Sequence, residues 1–62
     1  MDGLEIETVK EGGVWVVKMR PRGSRHWADA VDVYETKSFY AARGVAQFLC
    51  EPKIAAAVWA AL

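Results

Sequence analysis

Histidine, cysteine and uncharged polar side chains are nearly absent from this sequence. It has one His (His26), one Cys (Cys50), two Ser, two Thr, one Gln and no Asn. Proton-transfer and nucleophilic chemistry need groups that titrate near neutral pH, each oriented by a partner. Structural metal sites need several His, Cys or carboxylate ligands to converge. With so few such groups, the expectation is a non-enzymatic protein with no metal site and no cofactor. A single thiol cannot form a disulfide within the chain, which suits a reducing compartment.

Long apolar runs are also missing. The longest uncharged run is residues 54–62, whereas a membrane-spanning helix needs ~20 residues. The first residues, Met1-Asp2-Gly3-Leu4-Glu5, lack the basic start and apolar stretch of a signal peptide. A soluble, cytoplasmic protein with no membrane contact is expected. Net charge is absent too, with eight Lys and Arg against eight Asp and Glu.

What the chain does have is apolar side chains, 53% of its 62 residues. That is too apolar and too neutral for disorder. It is also too short for more than one domain, taken as 1–62, and a domain this size buries only roughly 60% of its unfolded surface.

Residues 3–10 alternate, with Leu4 and Ile6 on one parity and Glu5 and Glu7 on the other, the period of a half-buried strand. Gly12-Gly13 is a tight-turn signal, and residues 14–20 are β-branched and aromatic. In this second strand Trp15, Val17 and Met19 share one face, and Val14, Val16, Lys18 and Arg20 the other. Pro21-Arg22-Gly23-Ser24 reads as the next turn and residues 25–35 as a third strand. A three-residue loop would align Trp27 and Val31 with Trp15 and Met19, and a two-residue loop would flip the strand. Asp29 falls on the apolar parity, so a bulge or bend is expected near it.

Ser38, or Thr36, is placed to cap a helix whose apolar stripe is Phe39, Ala42, Val45, Ala46 and Leu49. Glu51-Pro52 closes that helix and opens a second over residues 52–62, since Pro suits a first helical turn and not an interior. The predicted fold class is therefore α+β, in the order β-β-β-α-α. A helix packs on one face of a three-stranded antiparallel sheet, and a short helix ends the chain.

Two regions stand out as contact surfaces. In the second helix Ile54, Val58, Ala61 and Leu62 form a stripe, with Trp59 off it beside Ala55. A helix apolar all round is normally buried all round, so either exposed Ala is simply tolerated or Trp59 and its neighbours meet another chain. On the first helix Tyr40, Gly44 and Phe48 lie opposite the core stripe. Either the second helix packs there or another backbone approaches Gly44. Homodimerisation through the C-terminal helix is the expected use of these residues. The other region is the hairpin bearing Lys18, Arg20, Arg22 and Arg25, followed by His26. It reads as a solvated hairpin with internal ion pairs, as an anion or nucleic-acid site, or as a contact for an acidic protein. Ser24, His26 and Asp29 are triad residue types without triad geometry. Cys50 reads as a small apolar filler.

The residues Val14-Trp15-Val16-Val17-Lys18, the turn from Pro21 to Arg25 and the helix from Ser38 loosely resemble the N-terminal DNA-binding domain of phage integrases. That resemblance implies an exposed sheet face entering the major groove. The chain departs from it in its long third strand and in the acidic residues that follow the hairpin. The stretch from Glu11 to Val17 is similar to the first strands of HicB-like antitoxins. The expected function is protein–protein contact with a larger protein or complex. It would be that of a small phage- or mobile-element-encoded inhibitor, anti-CRISPR-like or antitoxin-like. Nucleic-acid binding through the hairpin is the alternative.

Overall fold

The computed structural model describes residues 3–23 and 30–62. Strands β1 (Leu4–Glu11), β2 (Val14–Pro21) and β3 (Val31–Thr36) form an antiparallel sheet in the order β1-β2-β3. Helices α1 (Phe39–Leu49) and α2 (Pro52–Ala61) follow, giving an α+β fold. The expected Arg25, His26 and Trp27 stretch of β3, the bend at Asp29 and the Ser24 position lie outside the described residues. Ala30, expected within the third strand, precedes it.

Glu11 pairs with Val14 across a two-residue turn in which Gly12 and Gly13 both have positive φ, 57° and 84°. Positive φ at both central positions is the hand that matches strand twist, and glycine reaches it without a Cβ clash. The turn sets the register, which places Leu4 and Ile6 on the same face as Val17 and Met19.

A register shift between Val17 and Lys18 pairs Val17 with Tyr34 and Lys18 with Asp32. Val33 is the extra residue, and it packs against the core cluster. The irregularity therefore falls within described β3. Unbroken alternation would put Tyr34 on the face of Asp32, but the irregularity turns it to the face of Val17. Val31 lies opposite Met19 and shares its face, but β2 ends at Pro21 and β3 starts at Val31, so residues 22–30 separate the strands and neither the two- nor the three-residue loop joins them.

The core is Val17, Met19, Ala42, Leu49 and Ala55, with Leu4, Ile6, Trp15, Val33, Val45 and Trp59 among the half-buried side chains around it. Ala42 and Ala55 are small, so both helices can approach the sheet and each other closely. Val16 is also buried, at 2% exposure, although it lies on the sheet face turned away from the helices. Its partners in register are Val9 and Glu35.

Ser38 caps α1, its side chain accepting a hydrogen bond from the Ala41 N–H at 3.2 Å. Thr36 supports it by accepting from the Ser38 N–H at 3.1 Å. Glu51 caps α2, accepting from Lys53 N–H, with Pro52 in the first turn where its missing N–H costs nothing. Three expected packing roles change. Phe39 is partly exposed and lies against Trp15, ring centroids 4.9 Å apart. Cys50 is exposed at the C-cap of α1 and fills no core space. On α2 the inward side is Ala55 with Ile54, Val58 and Trp59, while Ala61 and Leu62 are exposed. Which side of an apolar helix turns inward is decided by where it docks, and α2 docks beside α1 and β1.

Candidate functional site

The charged hairpin residues are held in the sheet. Lys18 on β2 projects from the face away from the helices, and its Nζ lies 2.8 Å from Asp32 and 3.3 Å from Glu11. Arg20, two residues on, reaches Glu5 at 2.9 Å. The hydrogen bond to Asp32, with that to Glu11, holds the Lys18 ammonium above the ordinary lysine pKa of 10.5 against a desolvation effect that opposes it. Arg22 follows in the turn, where its backbone N–H donates to the Gly3 carbonyl at 2.8 Å. Arg25 and His26 lie outside the described residues.

The register collects more acid than base on this sheet face. Glu5, Glu7 and Glu11 from β1 and Asp32 and Glu35 from β3 surround Lys18 and Arg20. Among the described residues, five acidic and two basic side chains leave a balance of −3 on this face, around Val9, Val14 and the buried Val16. Strand alternation alone signalled Glu5 and Glu7. The contribution of Asp32 and Glu35 became visible only with the β3 register.

The helical side has the opposite sign. Among the described residues Lys10, Arg43 and Lys53 are exposed there against the single acid Glu51. Lys10 lies 5.8 Å from the centre of the Trp15 ring, and its position opposite Trp15 places it on the helical side.

On α1 the stripe expected to be covered is open. Tyr40 is 80% exposed and Phe48 62%. A Cβ built on Gly44 would meet nothing within 4 Å. The second helix therefore does not pack on Gly44. Arg43 and Gln47 share this outward side, and Tyr40 continues edge-on to Phe39 at 5.8 Å. Of the α2 residues expected at an interface, Ile54, Val58 and Trp59 pack on the chain's own core, and Leu62 is 60% exposed.

A groove of about 760 Å³ runs between β1 and α2, walled by Leu4, Ile6, Leu49, Ala55 and Trp59, with Arg22 at one side. No periodicity announces it, because it arises from the docking angle of α2. Among the described residues no group of three or more His, Cys, Asp or Glu could hold a metal ion. No helix among them is long and apolar enough to cross a membrane. Comparison of the chain with family models, with curated proteins and with solved structures finds no match.

Proposed function

We propose that this protein acts by protein–protein contact, with the outer side of α1 as the contacting surface. The observation that carries the reading is the open Tyr40–Gly44–Phe48 stripe, two large aromatic residues turned to solvent around a glycine with free space above it. Tyrosine and arginine are the side chains most enriched at energetically dominant interface positions, and Arg43 joins Tyr40 here. Gly44 costs α1 up to ~1 kcal/mol relative to alanine, a loss that close approach of a partner backbone would offset. The role is that of a small binder or inhibitor that occupies a surface of a larger protein. A phage or mobile-element origin is an association with its small size.

Charge speaks against nucleic acid as the ligand of the sheet. Among the described residues, the face that would enter a groove carries −3, and its two central cations are engaged by carboxylates of the same face. Phosphate contacts require the opposite sign.

The test is affinity capture from the native host with the wild type and with a Tyr40→Ser/Phe48→Ser double variant. Both changes are at exposed positions, so the fold is expected to persist, checked by circular dichroism. A protein retained by the wild type and lost by the variant supports the reading. Equal retention of the same proteins by both overturns it. So does salt-sensitive binding of long duplex DNA at ~50 mM salt, lost on reversing Arg20, Arg22 and Arg25 to Glu.

A further inference from the structure

We propose that the edge of β1 takes up an extended segment of another protein as a fourth strand, one in which apolar residues alternate with Lys or Arg. This surface is separate from the outer side of α1, so the two readings stand or fall independently.

Three observations carry it, and the first is the backbone. β1 pairs with β2, and among the described residues no strand lies on its other side. The two-residue turn makes Glu11 and Val14 a hydrogen-bonded pair, and at the far end the Arg22 N–H donates to the Gly3 carbonyl. Alternation between those ends turns the odd-numbered residues of β1 to β2. It leaves the N–H and C=O groups of Leu4, Ile6, Thr8 and Lys10 pointing outward. β1 keeps an unbroken register over 8 residues and contains no proline. β3, at the opposite edge, is shorter and carries the Val33 irregularity, which is the kind of feature that discourages further pairing.

The second observation is the groove. α2 packs against α1 and β1, leaving the cleft of about 760 Å³ beside the half of β1 that holds Leu4 and Ile6. In an added strand the side chains opposite Leu4 and Ile6 turn to the helical side, where Leu49, Ala55 and Trp59 line that cleft. Main-chain bonding along an edge, with alternate side chains entering a pocket, is how sheets bind extended peptides.

The third is charge. The other side chains of the added strand stand opposite Glu5 and Glu7 on the outer face. Arg20 engages Glu5, whereas among the described residues no cation pairs with Glu7. A Lys or Arg opposite it gains a cross-strand ion pair. The same carboxylates oppose a second copy of this chain. Its β1 would set Glu5, Glu7 and Glu11 against their equivalents, and its β3 would bring Asp32 and Glu35. Like charges directly opposite are destabilising, so the occupant is a basic segment of a different protein.

Peptide binding read by fluorescence anisotropy tests this. The probes are labelled peptides of the length of β1, 8 residues, with Val, Leu or Phe at alternate positions and Lys, Ser or Glu between them. The Lys series is expected to bind saturably below ~1 mM, the Ser series more weakly and the Glu series not at all. Methylating the backbone nitrogens of the apolar residues removes the donors that face β1 in an antiparallel addition; methylating those of the Lys residues does so in a parallel one. One or other methylated peptide should bind at least ~10-fold more weakly than its parent, at unchanged charge. Thr8→Pro removes an outward N–H at an edge position that tolerates proline, and it should weaken the Lys series with the fold kept by circular dichroism. Glu7→Lys touches no main-chain bond and should weaken the Lys series about fivefold while strengthening the Glu series. A wild type that binds none of the three series overturns the proposal. So does binding that neither methylation weakens, which is charge attraction alone, or an unchanged order of preference in Glu7→Lys. Tyr40→Ser/Phe48→Ser should bind the Lys series like the wild type, and a loss there overturns the proposal by moving the peptides to α1.

Discussion

Lys18 shows how one side chain on β2 ties the three strands together, meeting Glu11 from β1 and Asp32 from β3. Its pKa is raised in the folded protein, chiefly by the Asp32 hydrogen bond. The folded state therefore binds this proton more tightly than the unfolded state does. The resulting stability is complete below the ordinary lysine value of 10.5 and is lost as pH rises through the folded value. Thermal melts from neutral to strongly alkaline pH should show a decline above that value in the wild type, and a smaller decline in Lys18→Met. Equal declines would mean that other groups dominate. Gly44 gives a second test at this scale. It sits inside α1 without positive φ, and a Cβ there meets nothing within 4 Å. Gly44→Ala should stabilise the monomer by about 0.5–1 kcal/mol in dilute denaturant titrations, through helix propensity and unfolded-state entropy. A loss of stability would show that Gly44 already meets something within its own chain.

At the scale of elements, local chemistry was readable wherever a side chain acts on its own backbone. Ser38 as the cap of α1, Pro52 in the first turn of α2 and Gly12-Gly13 between β1 and β2 all stand where their chemistry requires. Ser38→Ala should accordingly cost about 1 kcal/mol, read as a lower denaturant midpoint at unchanged slope. A neutral result would mean that Thr36 takes over the cap. What local chemistry did not reveal depends on contacts between elements. The inserted Val33 turns Tyr34 to the helical side, an outcome of pairing with β2 that β3 does not announce by itself. The wheel of α2 offered several apolar faces, and docking chose Ala55 and Trp59 over Ala61 and Leu62. The residue type of Cys50 points to a small apolar filler, yet it is exposed in the two-residue link where α1 stops and α2 starts.

For the whole molecule, a neutral sum covers an uneven surface, since the described residues of the outer sheet face carry −3. The candidate surface on α1 was legible as the four-residue spacing of Tyr40, Gly44 and Phe48, because that spacing fixes a shared side whatever the helix packs on. The acidic surface was not, since it is assembled from two strands separated by β2. Among the described residues the interior contains few large side chains, and Met19 is the largest of them that is fully buried. Met19→Ala should cost about 2–5 kcal/mol. In a chain of 62 residues that is expected to leave the protein largely unfolded at 37 °C, visible as lost near-ultraviolet dichroism and a collapsed melting transition. A cooperative melt within a few degrees of the wild type would show that α1 and the sheet close over the gap.

The Gly12-Gly13 turn has a kinetic consequence. It joins β1 to β2 with the shortest possible loop, while β2 and β3 are separated by residues 22–30. Hairpin closure takes ~1–10 μs and pays little loop entropy, so β1–β2 is the natural first structure on the folding pathway. Gly13→Ala forces a side chain into positive φ at 84°. It should slow refolding by nearly the whole of its equilibrium cost and leave the unfolding rate almost unchanged, the signature of a site formed in the transition state. A chevron whose unfolding limb moves instead would place the nucleus at α1 and the centre of the sheet.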